Sequence, residues 1–111
     1  MKPTRYYSDR QEKQIAKSIG GKQVSNSGAT AFNKGDIKNS QWLIEAKTTI
    51  KHKDSFAIKL SWLLKNKEEA FAMNRSYSAL AFNFGPDEEN YYIIDEKTFK
   101  MLLKYIEKDY E

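Results

Sequence analysis

The apolar residues of this 111-residue chain change their spacing four times along its length. That alternation constrains the fold more than any other feature. Apolar side chains recur at helical intervals at Ile15, Ala16 and Ile19, then alternate through Trp42, Ile44 and Ala46. They return to helical spacing at Leu60, Leu63, Leu64 and Phe71, alternate again at Leu80, Phe82 and Phe84, and finish at helical spacing with Phe99, Leu102, Leu103 and Ile106. A period near 3.6 marks an amphipathic helix and a period of two marks a strand. The predicted order is α-β-β-β-(β)-α-β-β-α. This is an α/β fold with a mixed sheet flanked by helices, an extra C-terminal helix, and one domain over residues 1–111.

Punctuation residues set the expected boundaries. Ser8 with Gln11 fits a capping box opening a helix over residues 9–19, which Gly20-Gly21 ends. Residues 22–24 form a short strand candidate. The Ser-, Asn- and Gly-rich residues 25–30 are a loop. A hairpin follows, with strands at 32–37 and 42–49 around a four-residue turn at 38–41. Residues 51–55 are a charged loop and 56–60 a further short strand candidate. Ser61 then caps a helix reaching Asn74, with an apolar stripe at Leu60, Leu63, Leu64 and Phe71. Strands at 78–84 and 91–94 flank a Gly85-Pro86-Asp87 turn, and Asp95 caps the last helix.

Composition excludes several kinds of chemistry. The chain has no Cys, so disulfides, thiolate zinc sites and Cys nucleophiles are out, and His52 is the single histidine. No apolar run approaches the roughly 20 residues of a membrane span, and the N-terminus lacks the apolar stretch of a signal peptide. A soluble, cytoplasmic protein is expected. The net charge of +4 conceals an asymmetry. Residues 1–67 hold fourteen basic and five acidic side chains, whereas residues 87–111 hold four basic and eight acidic ones. A basic half suits a polyanionic partner, nucleic acid being the common one, or else a solvated lysine-rich surface.

Three carboxylates stand where a purely structural acid is hard to justify. Glu12 lies three and four residues before Ile15 and Ala16, along the buried stripe. An ionised carboxylate there needs a cation, a donor or a metal, although acids are also favoured near a helix N-terminus. In residues 42–47, Trp42, Ile44 and Ala46 share one face, and Leu43, Glu45 and Lys47 the other. With a four-residue turn, Asp36 falls opposite Leu43 on that second face and is a diagonal neighbour of Glu45. A five-residue turn reverses the parity. Two carboxylates so close repel unless a cation lies between them. Oxygen ligands suit Mg²⁺, with Mn²⁺ as a substitute, rather than zinc. Lys47 adds a positive charge that can hold a water or stabilise charge on phosphate. The bland alternative is an exposed Glu–Lys pair worth about 0–1 kcal/mol.

The segments Gly35-Asp36-Ile37 and Ile44-Glu45-Ala46-Lys47 resemble the PD-(D/E)xK nuclease signature, with Glu12 similar to that superfamily's upstream acid. Gly20-Gly21-Lys22, Asn26-Ser27-Gly28-Ala29, Lys34, Thr48, Ser55-Phe56 and the helix from Trp62-Leu63-Leu64-Lys65 to Glu69-Ala70 extend the likeness to residues 8–95. They resemble Holliday junction resolvases of the archaeal and bacteriophage kind and RecU-like enzymes. Gly35 stands where the signature often has Pro.

The resemblance implies a restriction-endonuclease-like αβββαβ core and a metal-dependent DNA endonuclease acting on four-way or other branched junctions. It implies that Asp36 and Glu45 hold the metal with the Ala46 carbonyl, that Glu12 supports the metal or its water shell, and that Lys47 orients the attacking water. It also implies that Ser25 or Ser27 reaches DNA. Lys34, Lys51, Lys53 and Lys65, and the Thr49 hydroxyl, are candidate phosphate contacts; residues 51–53 equally suit a solvated loop. Paired cuts in a two-fold junction imply a homodimer, and so compact an enzyme suits a virus-encoded setting. The helix with Trp62, Phe71 and Met73, or the strand from Leu80 to Phe84, is a candidate dimer interface. The alternatives are another PD-(D/E)xK DNA nuclease, restriction-like or single-strand-specific, and a non-catalytic basic DNA-binding module.

Overall fold

Among the described residues the chain forms five strands and three helices, with one crossover between parallel strands. The computed structural model describes residues 2–24 and 36–108, with the backbone alone of Asp36. The elements are α1 (Thr4–Ile19), β1 (Lys22–Gln23), β2 (Asp36–Lys38), β3 (Trp42–Lys47), α2 (Leu60–Ala72), β4 (Tyr77–Phe82), β5 (Tyr91–Ile93) and α3 (Glu96–Lys108). Among the described residues the strands form one sheet in the order β1-β2-β3-β4-β5. Every pairing is antiparallel except β3–β4, which is parallel. Parallel neighbours need a long crossover, and α2 supplies it. The expected element order therefore holds, apart from the optional strand at 56–60. That stretch is not a strand; Phe56 packs on Phe82 instead, with ring centroids 5.0 Å apart.

Helix α1 begins five residues earlier than the capping box predicts. Pro3, extended at φ −66°, precedes it, and the Tyr6 amide donates to the Pro3 carbonyl. Ser8 sits inside the helix, where its hydroxyl donates back to the Arg5 carbonyl at 3.1 Å; this is the usual fate of a serine not used as a cap. The C-terminal end matches the reading: Gly20 adopts the left-handed conformation at φ 71°, which costs a residue without Cβ little.

The two faces of the sheet are covered differently. On one, Ile15 of α1 packs with Ile37, Ile44, Ala79 and Ala81, edged by Ala16, Ile19, Trp42 and Ala46. On the other, alternation places Leu43 and Leu80, both fully buried, beneath α2, which packs on β3 and β4. The face of β3 expected to be polar is thus as buried as the first.

Helix α2 turns most of its apolar stripe away from the sheet. Leu60, Leu64 and Phe71 lie on one arc that points outward, with Leu60 68% and Phe71 85% exposed. Asn66, Glu69 and Ala70 face inward and are buried. The sheet face on that side carries Glu45 and Lys47 beside Leu43 and Leu80, and Trp62 is the α2 side chain set over Lys47. Helix α3 buries none of its residues. It is tied at its start, where the Thr98 amide donates to Asp95 Oδ1 at 2.8 Å and Lys67 pairs with Asp95 at 2.6 Å. Among the described residues no helix is long and apolar enough to cross a membrane.

The Lys67 ammonium and the Thr98 donors hold the Asp95 carboxyl well below its ordinary value of 3.8. A depressed carboxylate contributes stability above its ordinary value, and that contribution is lost as pH falls through the folded-state value. Asp95→Ala should cost about 1 kcal/mol at pH 7, the usual worth of an N-cap. In melting curves taken at several pH values, the difference from wild type should narrow below about pH 4.

Candidate metal and nucleic-acid site

The β2–β3 hairpin sets positions 36 and 45 across from each other. Its register pairs Lys38 with Leu43, Ile37 with Ile44 and Asp36 with Glu45. The connection is Asn39–Gln41, tightened by the Asn39 side chain, which accepts from the Gln41 and Trp42 amides. The expected pairing of Asp36 with Leu43 is therefore displaced by two residues. A two-residue shift preserves the face, because side chains alternate with period two. Asp36 stands directly across from Glu45 rather than diagonal to it, and directly paired positions are the closest cross-strand neighbours.

Glu45 is 9% exposed. Its Oε2 accepts no hydrogen bond among the described residues. The Lys47 ammonium lies 3.3 Å away as an ion pair. That ammonium is also 4.2 Å from the centre of the Trp62 ring, so it is held between a carboxylate and an indole face. A buried carboxylate oxygen with lone pairs left over, opposite a second acid, is a donor set suited to a hard divalent cation. Ala46, between Glu45 and Lys47, packs its methyl against the α1-side core. Among the described residues, which exclude the Asp36 side chain, no three acidic or histidine side chains form a metal cluster.

Glu12 is not brought to this pair. Gln23 of β1 donates to Glu12 Oε1 at 3.2 Å and to Asp9 at 3.1 Å. Gln23 pairs with Ile37, whose side chain belongs to the α1-side core. Glu12 thus lies on the α1 side of the sheet, and Lys47, over Trp62 of α2, on the other. Burial raises the Glu12 carboxyl above its ordinary value, with the Gln23 bond opposing the rise and Asp9 adding to it.

The remaining candidates divide clearly. Ser25, Ser27 and Lys34 lie outside the described residues. Lys51 and Lys53 are exposed. Lys65 is exposed, with its ammonium 3.8 Å from Glu69. The Thr49 hydroxyl is buried and donates to Asn83 Oδ1 at 3.2 Å, so it serves the fold rather than a phosphate. His52 is exposed beside Glu88 at 2.8 Å, a contact that raises its pKa.

Sequence reasoning missed a buried amide cluster at the end of β3. Gln11, 3% exposed, donates to the Lys47 carbonyl at 3.0 Å and to Asn90 at 3.2 Å, and accepts from the Thr48 hydroxyl at 2.7 Å. It fixes the chain just past Lys47 against α1. The signal was present: Gln11 is four residues before Ile15, the deepest position of the helix, and one turn earlier is where the buried stripe continues. Compared with protein-family models, with curated proteins and with solved structures, the chain matches none.

Removing Lys47 alone leaves a buried carboxylate without its cation. Lys47→Met should lower stability in urea titrations by about 1–3 kcal/mol, the desolvation penalty of an unsatisfied group. The double variant Glu45→Gln with Lys47→Met should recover most of that loss. A double variant as unstable as Lys47→Met would show that the two side chains are not coupled.

Proposed function

We propose that this chain is a divalent-metal-dependent, structure-selective DNA endonuclease of the PD-(D/E)xK kind, with four-way junctions as its substrate. The observation that carries the reading is the buried Glu45 carboxylate, set across from Asp36 and flanked at 3.3 Å by the Lys47 ammonium. The parallel β3–β4 pair with its α2 crossover supports the same reading, since it gives the order α1-β1-β2-β3-α2-β4 in which such a core is built.

In this reading Asp36 and Glu45, with the Ala46 carbonyl, hold Mg²⁺ or Mn²⁺. Glu12, on the other face of the sheet, is left out of the ligand set. A cation so held supplies Lewis acidity at a phosphate oxygen and eases loss of a proton from water. Glu45 and Asp36 position the charge. Lys47, restrained by Glu45 and the Trp62 ring, holds the attacking water by one N–H and offers its charge to the phosphate oxygens as they gain negative charge. Gln11 keeps the Lys47 carbonyl, and so the end of the strand, from shifting. Exposed lysines give affinity without base reading, as structure-selective binding requires.

A junction with two-fold symmetry needs two matched cuts and therefore two sites. A symmetric dimer supplies them, and the outward apolar arc of α2 suits its interface. Phe71→Asp with Leu64→Asp, both at exposed positions, should leave folding intact, give a monomer in sedimentation, and uncouple the paired cuts into single nicks.

The decisive assay compares a four-way junction with linear duplex, in Mg²⁺ and in EDTA. Junction cutting should require the metal and exceed duplex cutting. Glu45→Gln and Lys47→Ala should each abolish cleavage while junction binding stays within a few-fold. Normal cutting by both variants overturns the site assignment. Binding of junctions by wild type with no cutting of any DNA favours the non-catalytic module.

A further inference from the structure

A groove of about 590 Å³ lies between the start of α1, the chain that follows β3 and the start of α2, with Trp62 in its lining. Thr48, Lys51, Lys53, Ser55, Phe56 and Trp62 contribute to its lining, and none of its lining residues is acidic. Two further ammonium groups, of Lys47 and Lys59, lie 4.2 and 5.7 Å from the Trp62 ring. Two lysines therefore line the groove and two more stand over the ring of one of its lining residues. Phe56 and Trp62 stand together in the lining, with ring centroids 6.4 Å apart, and neither ring is fully buried.

Cations alone would suit any polyanion. Aromatic faces alone would suit any apolar ligand. A lysine-edged groove floored by two aromatic rings suits a chain with a phosphate and a planar base in every repeat. Duplex DNA keeps its bases stacked on one another, so the rings would find no base face. An unpaired strand offers both groups at once.

We infer that this groove seats an unpaired segment of a DNA strand, with bases against Phe56 and Trp62 and phosphates against Lys51 and Lys53. The choice of DNA rests on the nuclease reading above; the groove itself does not. Under that reading the seat lies beside the Glu45–Lys47 pair, so the strand entering the site is one that has left its duplex. Branch points, flaps and frayed ends supply such a strand, and intact duplex does not.

The test runs in EDTA, so that binding is read without cleavage. Fluorescein-labelled oligo(dT) of about twelve nucleotides, within the span of one single-strand site, is titrated by anisotropy while tryptophan emission is followed. Wild type should bind it more tightly than duplex of equal length and lose tryptophan emission on binding. Trp62→Leu should abolish most of the quenching and weaken binding about tenfold. Lys51→Gln with Lys53→Gln, at exposed positions where folding is not at stake, should weaken binding and reduce its salt slope by about 1.4, near 0.7 for each phosphate contact on a single strand.

Heparin, a polyanion without bases, should leave tryptophan emission unchanged. Equal quenching by heparin, equal affinity for duplex, or unaltered oligo(dT) binding in the lysine pair each overturns the inference. The two readings also fail separately. Junction cutting with unaltered oligo(dT) binding in Trp62→Leu strikes the groove alone, and oligo(dT) binding as described with no cutting of any DNA strikes the nuclease alone.

Discussion

A single ammonium group organises this molecule. Lys47 sits between the Glu45 carboxylate at 3.3 Å and the Trp62 ring at 4.2 Å, and so ties the central strand to the crossover helix through charge, beside the apolar contact of Leu43 and Leu80 with α2. Glu45 is buried, and a buried carboxylate is tolerated only with a partner. Lys47 provides one charge; the leftover lone pairs of Glu45 and the neighbouring Asp36 position leave a place for another. Stability and proposed chemistry thus make demands on the same pair.

Helix α2 lies over the sheet face that carries this pair. A helix packed on a parallel pair normally turns its apolar stripe inward. Here Asn66 and Glu69 are inward and Leu60, Leu64 and Phe71 outward. The α2 side chain set over Lys47 is an aromatic one, Trp62. Leu60, Leu64 and Phe71 thus form an apolar arc on the surface. The α1 side shows the opposite arrangement: Ile15, Ile37 and Ile44 form a dry layer, and polarity is confined to its rim, where Gln11 holds the end of β3.

The sequence made the element order legible because each change of period coincides with a turn residue or cap, as at Gly20 and Asp95. It made the β3 pattern legible because alternation is local. The hairpin register was less legible: Asn39 shortens the connection by capping it, a choice of hydrogen bonds that spacing does not encode, and the site survived because the error was an even number of residues. Two features were out of reach of local pattern. Glu12 was preferred to Gln11 because it is charged, yet depth is set by the geometry of α1 on the sheet, and Gln11 is the residue one turn from Ile15. The apolar stripe of α2 was legible as a stripe, but periodicity never reveals which side of it faces the sheet. Ser25, Ser27 and Lys34 fall outside the described residues, so the expected role of the two serines rests on the resemblance and that of Lys34 on its charge and its place in the sequence.

The account stands on a divalent cation being held between positions 36 and 45. Isothermal titration of the metal-free protein with Mn²⁺ measures this directly, without DNA. One ion per chain should bind, and Asp36→Asn should abolish the binding while leaving the melting curve of the metal-free protein unchanged. Absence of binding by the wild type, or binding that Asp36→Asn leaves intact, would contradict it.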